Sequence, residues 1–588
     1  MKKMYKLTAL LLALCLMAAC GAPAASSQAT GSSASKPVSE AEISDAPSQE
    51  PAQPSAEPEP DPTVESVLEE PAEPEPLDRT VELPLVEEPA TLTLWTRTNF
   101  AGDAPLNTYA DCKSIQQAET LTGVHIDFTE VSDMTEGESF NLMIAAGDYC
   151  DLIYNFLGNY GSASKAISEG IIVDLRDYLD LCPIYDGFLE RNPDVAQKIT
   201  TDDGELGAFY KIAEHEGRVY EGWVIRQDWL DQLELDAPVT VDDWHNVLTA
   251  FKDAFAPSMP LAMGSSGTYN SLTSAWTASY ISTMGGYNDT FCAWPDGTVT
   301  FGPTSDEFLQ YLTTMHQWYE EGILSKDFVT FELHGPFSTF TSVVTTGESG
   351  IFPAQADYIS SYIETGRTTD PNYDLSGIVN IHLDADQPIP AHTSSSELQS
   401  IFSVTDGPNA DLAVQWCDFW YSDEGSRLCT YGIAGESYEL DANGVPQYTD
   451  LILNNPDGYS TDGMKMLYCV NYCTLFDPDA EKGTLDPVAE AAVQVWTADQ
   501  AINAAAEDCY SIVNLDYLTL TTEEAEAFAE KDADINTFVS EYTLKFITGD
   551  IDLSEYEAYC KTVEDMGVDA VLEIIQNAYT RYCGRGGL

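Results

Sequence analysis

The chain has 588 residues, with 25 Lys+Arg against 97 Asp+Glu and a formal net charge of −72. A balance this acidic opposes binding to nucleic acid or to an anionic lipid surface, since like charges would have to be brought together. So long a chain exceeds one small core and is expected to form two or more lobes, and its 13 scattered cysteines are not the dense framework of a small disulfide-stapled domain.

In chain order, Lys2, Lys3 and Lys6 precede an apolar run at 7–17, the pattern of a secretory signal. That run is short of the roughly 20 apolar residues a spanning helix needs. It ends in Met17-Ala18-Ala19-Cys20, which resembles a bacterial lipobox. The expectation is a signal peptide at 1–19 and lipid modification of Cys20, anchoring the protein on the extracellular face of the cell membrane. From 20 to 90 the sequence is rich in Pro, Ala, Ser and Glu and almost free of aromatics, so it reads as a disordered acidic tether.

The folded body is expected to open with a strand at 90–95, a helix at 112–122 and a second strand at 124–128. A short helix at 140–146 and a third strand at 151–154 follow. Strands alternating with helices imply a parallel sheet covered on both faces, with sites beyond the carboxyl ends of its strands. That rule places Arg97 and Asn99 after the first strand and Asn155 after the third.

The stretch 220–240 packs Trp223, Arg226, Asp228 and Trp229 close together and reads as a strand running into a helix. Thr240 and Asp243 form a capping-box signature before a helix whose apolar stripe is Trp244, Val247, Leu248 and Phe251. Thr304 and Glu307 repeat the signature before a second helix that stops at Gly322. Between them, 263–294 carries Trp276, Tyr280, Tyr287 and Trp294 without a helical stripe, which suits the lining of a cleft. Further helices are expected at 408–421, 535–549 and 568–582.

Several of these segments together carry a resemblance. LTGVHIDF at 121–128, FNLMIAAGDYCDLI at 140–153, EGIIVDL at 169–175, IRQDWLDQL at 225–233 with PVT at 238–240, and YGIAGESY at 431–438 with DANG at 441–444 are similar, in order and spacing, to extracellular solute-binding lipoproteins of bacterial ABC importers. The resemblance is to the Gram-positive type that serves oligosaccharide uptake, and Cys150 stands where that family more often has Pro. It implies an α/β, two-lobe periplasmic-binding-protein-like (type II) fold with a hinge and an inter-lobe cleft. Lobe 1 would comprise 91–220 and 396–435, and lobe 2 would comprise 221–395 and 436–588. It further implies a monomer that binds a small-molecule solute, an oligosaccharide, and hands it to ABC permease subunits.

No catalytic motif competes with this reading. The chain lacks G-x4-G-K-[ST] and G-x-S-x-G, and His215-Glu216 is followed by Val219 where a zincin would place His. Cys469 and Cys473 have no second pair, and Asp477, Asp479 and Glu481 depart from a calcium loop at the glycine and at the closing carboxylate. Neither a metal nor a cofactor is expected.

Sugar rings stack their C–H faces on aromatics and exchange hydrogen bonds with polar side chains. The candidate ligand-binding residues are therefore Trp95, Arg97, Asn99, Asn155, Trp223, Arg226, Trp276, Tyr280 and Glu436. Each also has an ordinary structural use: Trp95 beneath its strand, Trp276 in a core, Arg226 paired with Asp228. A peptide ligand, a sensing or adhesion role on the same fold, and a glycoside hydrolase are the alternatives.

Overall fold

A computed structural model describes residues 77–98, 100, 104–213, 219, 221–263, 275–276, 290–328, 339–385, 398–442, 444–470, 472, 475–476, 485, 487–504, 511–513 and 515–585. The chain lays down β1 (Ala90–Thr98), β2 (Val124–Ser132), β3 (Leu152–Tyr154) and β4 (Phe209–Ala213). It crosses to form β5 (Glu221–Arg226), β6 (Met259–Leu261), β7 (Phe291–Ala293), β8 (Val299–Phe301), β9 (Ser349–Gln355) and β10 (Leu375–Ile378). It returns for β11 (Gln399–Val404), the hairpin β12 (Tyr438–Leu440) and β13 (Pro446–Tyr448), and β14 (Leu475–Phe476), then leaves again toward β15 (Ser511–Ile512).

The first sheet has the order β14-β4-β11-β3-β1-β2 and the second β10-β5-β9-β6. In the first sheet β1 runs parallel to β2 and β3, while β11 is antiparallel to β3 and β4. Alternation along a strand sends neighbouring residues to opposite faces. Leu92 and Leu94 accordingly enter one core with Tyr185, Trp416 and Phe402. Trp95 and Ile153 enter another with Phe140 and Phe156. In the second sheet Trp223 and Ile225 face a large core holding Trp244, Trp276 and Trp318, and Val224 faces Trp496 and Tyr373 on the other side.

The helix signals were informative. Thr240 and Asp243 make both bonds of a capping box ahead of the helix Val241–Phe255. The second such helix, Asp306–Glu321, is capped by Ser305, one residue after the expected Thr304, with the Ser305 side chain accepting from Phe308 N. The helix expected to begin at 535 starts thirteen residues earlier and spans Thr522–Thr548, opened by a capping box of Thr521 and Glu524.

Three expectations need correction. Residues 77–89, assigned to the tether, belong to the folded body: Leu77, Val81, Leu83, Leu85 and Val86 pack against the first core. Leu85 N donates to Thr122 O at 2.9 Å, and Arg79 Nε donates to Tyr421 O at 2.9 Å beside Asp423. Residues 436–476, assigned to the second lobe, lie with the first. Val470, Tyr472 and Leu475 join its core, and β14 pairs in parallel with β4. Trp223, expected to face a cleft, is 1% exposed and meets Trp244 edge-on at 5.3 Å. Its carbonyl accepts the Trp496 indole N–H at 3.1 Å, and Trp496 lies so close over β5 that a Cβ on Gly222 would stand 2.7 Å from the ring.

Residue Asp418, buried on the helix Ala410–Phe419, accepts from Tyr185 N at 2.9 Å and Ile184 N at 3.3 Å and so caps the helix Pro183–Arg191. Burial pushes its carboxyl up to about 7, against the pull of those two N–H bonds, and neighbouring Asp186 adds to the rise. The folded protein therefore holds this proton where the unfolded chain has released it, and stability falls as pH rises between the two values.

Two measurements follow. Replacing Trp223 by Ala should cost about 3–5 kcal/mol, read as a lower urea midpoint. Between pH 4 and pH 7 the wild type should lose up to about 4 kcal/mol relative to Asp418→Asn, with no further divergence above pH 8.

Candidate ligand-binding rim

The two sheets are joined along one edge. The chain passes from β4 to β5, from β10 to β11, and from β14 to the helix Pro487–Ala504. In the first sheet β14, β4 and β11 are neighbours at one edge, and the ends that carry the crossings lie at the same end of those strands. In the second sheet β5 and β10 are neighbours, with Trp223 opposite Ile378 at the shared end. All three crossings therefore form one hinge edge. The carboxyl ends of β3, β1 and β2 lie beyond it and are free of crossings.

A polar cluster occupies that free rim. Arg97, near the end of β1, reaches Asp133 Oδ1 at 2.7 Å and Glu136 Oε2 at 3.2 Å, and its guanidinium lies 5.8 Å from the Tyr154 ring centroid. Burial works against the Arg97 charge, but Tyr154, Glu136 and Asp133 outweigh it and hold the guanidinium above its ordinary value. The second Glu136 oxygen accepts from Asn155 Nδ2 at 3.2 Å and Asn159 Nδ2 at 2.9 Å. Glu136 is 8% exposed and sits in the first turn of the helix Glu136–Ala146, where the exposed N–H groups favour a negative charge.

Local structure sets these side chains. Asp151 holds the start of β3 to β1 by accepting from Thr93 N at 2.8 Å and Thr93 Oγ1 at 2.7 Å, and Asn409 Nδ2 donates to its other oxygen at 3.0 Å. At the other end of β3, Asn155 takes a left-handed backbone with φ 51, and its N–H donates to Ile401 O at 2.8 Å. Among non-glycine residues Asn tolerates that conformation best. The strand thus turns abruptly and aims the amide at Glu136.

Of the residues singled out in the sequence, Arg97 and Asn155 are brought together here. Trp95 lies under the rim, 3% exposed and edge-on to Phe140 at 5.9 Å. Trp223 and Trp276 are in the second core, and Trp276 meets Tyr311 at 5.5 Å. Arg226 is buried between Trp229 and Tyr373, 4.4 Å and 4.1 Å from their ring centroids, and pairs with Asp228 at 2.7 Å and Asp370 at 3.0 Å. That arginine is a strut of the second lobe. Glu436 is exposed and accepts from Tyr468 Oη at 3.3 Å, and it is not part of the Arg97–Glu136–Asn155 cluster.

Asn99, Tyr280 and Cys20, with His215, Glu216, Tyr287, Asp477, Asp479 and Glu481, lie outside the described residues. Asp133, Glu136, Tyr154 and Asn159 were missed. The strand-end rule applied to β2 as well would have pointed to the first two. Among the described residues no group of three or more His, Cys, Asp or Glu is set to hold a metal ion. The rim instead offers carboxylate acceptors, amide and guanidinium donors and an aromatic face, a set suited to hydroxyl groups.

No family model matches the chain. It is 24% identical over 500 residues to the fructooligosaccharide ABC transporter substrate-binding protein FusA of Streptococcus pneumoniae, covering 80% of this chain and 86% of that protein. It is 22% identical over 487 residues to the polygalacturonan/rhamnogalacturonan-binding protein YtcQ of Bacillus subtilis, covering 79% and 88%. Among solved structures, an HMO-binding, ABC-transporter-associated solute-binding protein of Bifidobacterium longum infantis superposes with a TM-score of 0.68 at 21% identity, over 84% of this chain and 99% of that one. The chain therefore has the fold of the solute-binding proteins, two α/β lobes joined by a hinge.

Proposed function

We propose that this protein is the extracellular substrate-binding subunit of an ABC importer, capturing an oligosaccharide between its lobes and delivering it to a membrane permease. In this reading it works as a monomer, held to the outer face of the membrane through lipidated Cys20, and binds without turnover. The observation that carries the proposal is the Arg97–Glu136–Asn155–Asn159 rim at crossing-free strand ends beside a three-segment hinge. The likeness to FusA and YtcQ supports a carbohydrate ligand. In this reading the first lobe comprises the described residues of 77–213 and 399–476, and the second the described residues of 221–385 and 485–585.

The charge pattern favours a neutral sugar. Arg97 already faces two carboxylates, and Lys211, on β4 two strands away from β3, also has a partner. A uronate would have to displace those pairings in a chain of net charge −72.

A thermal-shift screen tests the proposal with kestose, a neutral milk-type oligosaccharide, an oligogalacturonide and a mixed peptide pool. A neutral oligosaccharide at 100 times its dissociation constant should stabilise the protein by about 2.7 kcal/mol. A shift with peptides alone, or hydrolysis of the bound sugar, would overturn it. With the responding sugar, Glu136→Ala should weaken binding tenfold or more, since it frees the Asn155 and Asn159 amides and leaves Arg97 with Asp133 alone. The unliganded variant should lose only about 1–3 kcal/mol of stability.

A further inference from the structure

The two lobes meet at a second place, far from the rim. In the first lobe the helix Pro193–Ile199 runs into a tight turn at 200–205 before β4. The lobe builds this turn itself: Thr201 N donates to Glu205 O at 3.0 Å, Gly204 N donates to Thr201 O at 2.9 Å, and Gly204 has φ 75. Arg176 Nη1 holds it from outside by donating to Asp203 O at 2.8 Å. Asp202 stands at its tip.

Two arginines of the second lobe close on that one carboxylate. Arg581, on the last turns of the helix Val568–Cys583, donates from Nε to Asp202 Oδ2 at 2.6 Å, and Arg585 donates from Nε to Asp202 Oδ1 at 2.8 Å. The remaining nitrogens are also engaged. Arg581 forms a fork with Glu524 at 3.0 Å and 2.6 Å. Arg585 Nη1 donates to Thr200 O at 2.7 Å in the first lobe and to Tyr517 O at 2.8 Å in the second. Gln197 Nε2 crosses the other way, to Tyr582 O at 3.1 Å. The Arg585 side chain is 3% exposed. Paired, planar, partly desolvated contacts of this kind are the strong ones, and they have a fixed geometry.

The position of the clasp gives it a direction. The turn leads into the amino end of β4, whose other end carries a crossing. It is bonded to the base of the sheet: Leu206 O accepts from Leu175 N at 2.9 Å, and Val173 N donates to Val404 O at 3.0 Å, where β11 pairs with the start of β3. The clasp is thus rooted on the hinge edge, at the end of the sheet opposite the rim. A rotation about the three crossings that brings the second lobe over the rim carries it away from that root.

We infer that Arg581, Arg585 and Asp202 form an ionic clasp behind the hinge that holds the lobes apart and is broken on closure. The residues touch no ligand, yet they set the population of the closed form and so the apparent affinity. The inference rests on the hinge geometry alone and can stand or fall without the identity of the solute.

Single-molecule energy transfer on the full chain tests it, with dyes attached through azido amino acids at Met134 on the first lobe, 94% exposed, and Leu235 on the second, 36% exposed. In 50 mM salt and without any solute, Arg581→Ala and Asp202→Asn should both enlarge the high-transfer population at least threefold. Should the arginine variant fail to fold, Asp202→Asn decides alone, because it keeps the shape of the turn and removes only the charge. Unchanged transfer in the variants, or a shift to lower transfer, would overturn the inference.

Discussion

The structure depends on a constraint of connectivity: the chain passes between its two lobes three times, and each passage joins the first sheet at one of three adjoining strands. Because β14, β4 and β11 are hydrogen-bonded neighbours, the three crossings are held together at one edge. Such an arrangement would confine relative motion of the lobes to a rotation about that edge. The same arrangement leaves the carboxyl ends of β1, β2 and β3 free of crossings, where Arg97, Glu136 and Asn155 meet. A sheet in which the crossings were spread over all six strands would have had neither a hinge nor an open rim.

Around that frame, charge is used sparingly and in concentrated form. With 25 cationic residues in 588, few arginines are available, and those at the described contacts are shared among several acceptors. Arg97 bridges two carboxylates at the rim, Arg226 lies between two aromatic rings and two carboxylates, and Arg581 and Arg585 converge on Asp202. In a molecule so acidic, each such site relieves repulsion as well as fixing geometry. The guanidinium suits this use because its planar fork can serve several acceptors at once.

The sequence showed the alternation of strand and helix, and with it the strand ends where Arg97 and Asn155 stand. It could not show which face of a strand looks inward. Trp223 and Arg226 lie on β5, a strand covered on both sides, so aromatic content alone did not separate core from cleft. Composition also misled at 77–89, where prolines and acids surround Leu77, Leu83 and Leu85. Those leucines are too widely spaced to mark an element, but they are sufficient to seat a strap on an existing core. The placement of 436–476 depended on β14, a strand of two residues whose pairing with β4 joins positions far apart in the chain. Long-range pairing of that kind leaves no local periodicity to read.

The strap has a mechanical consequence. Residues 77–89 are fastened to the first lobe by apolar side chains and by Arg79, which donates to Tyr421 O and pairs with Asp423. Tension applied through the preceding segment is therefore taken up by the first lobe before it reaches the hinge. The second lobe, which among the described residues makes no contact with the strap's apolar side chains in that core, would take none of that load directly.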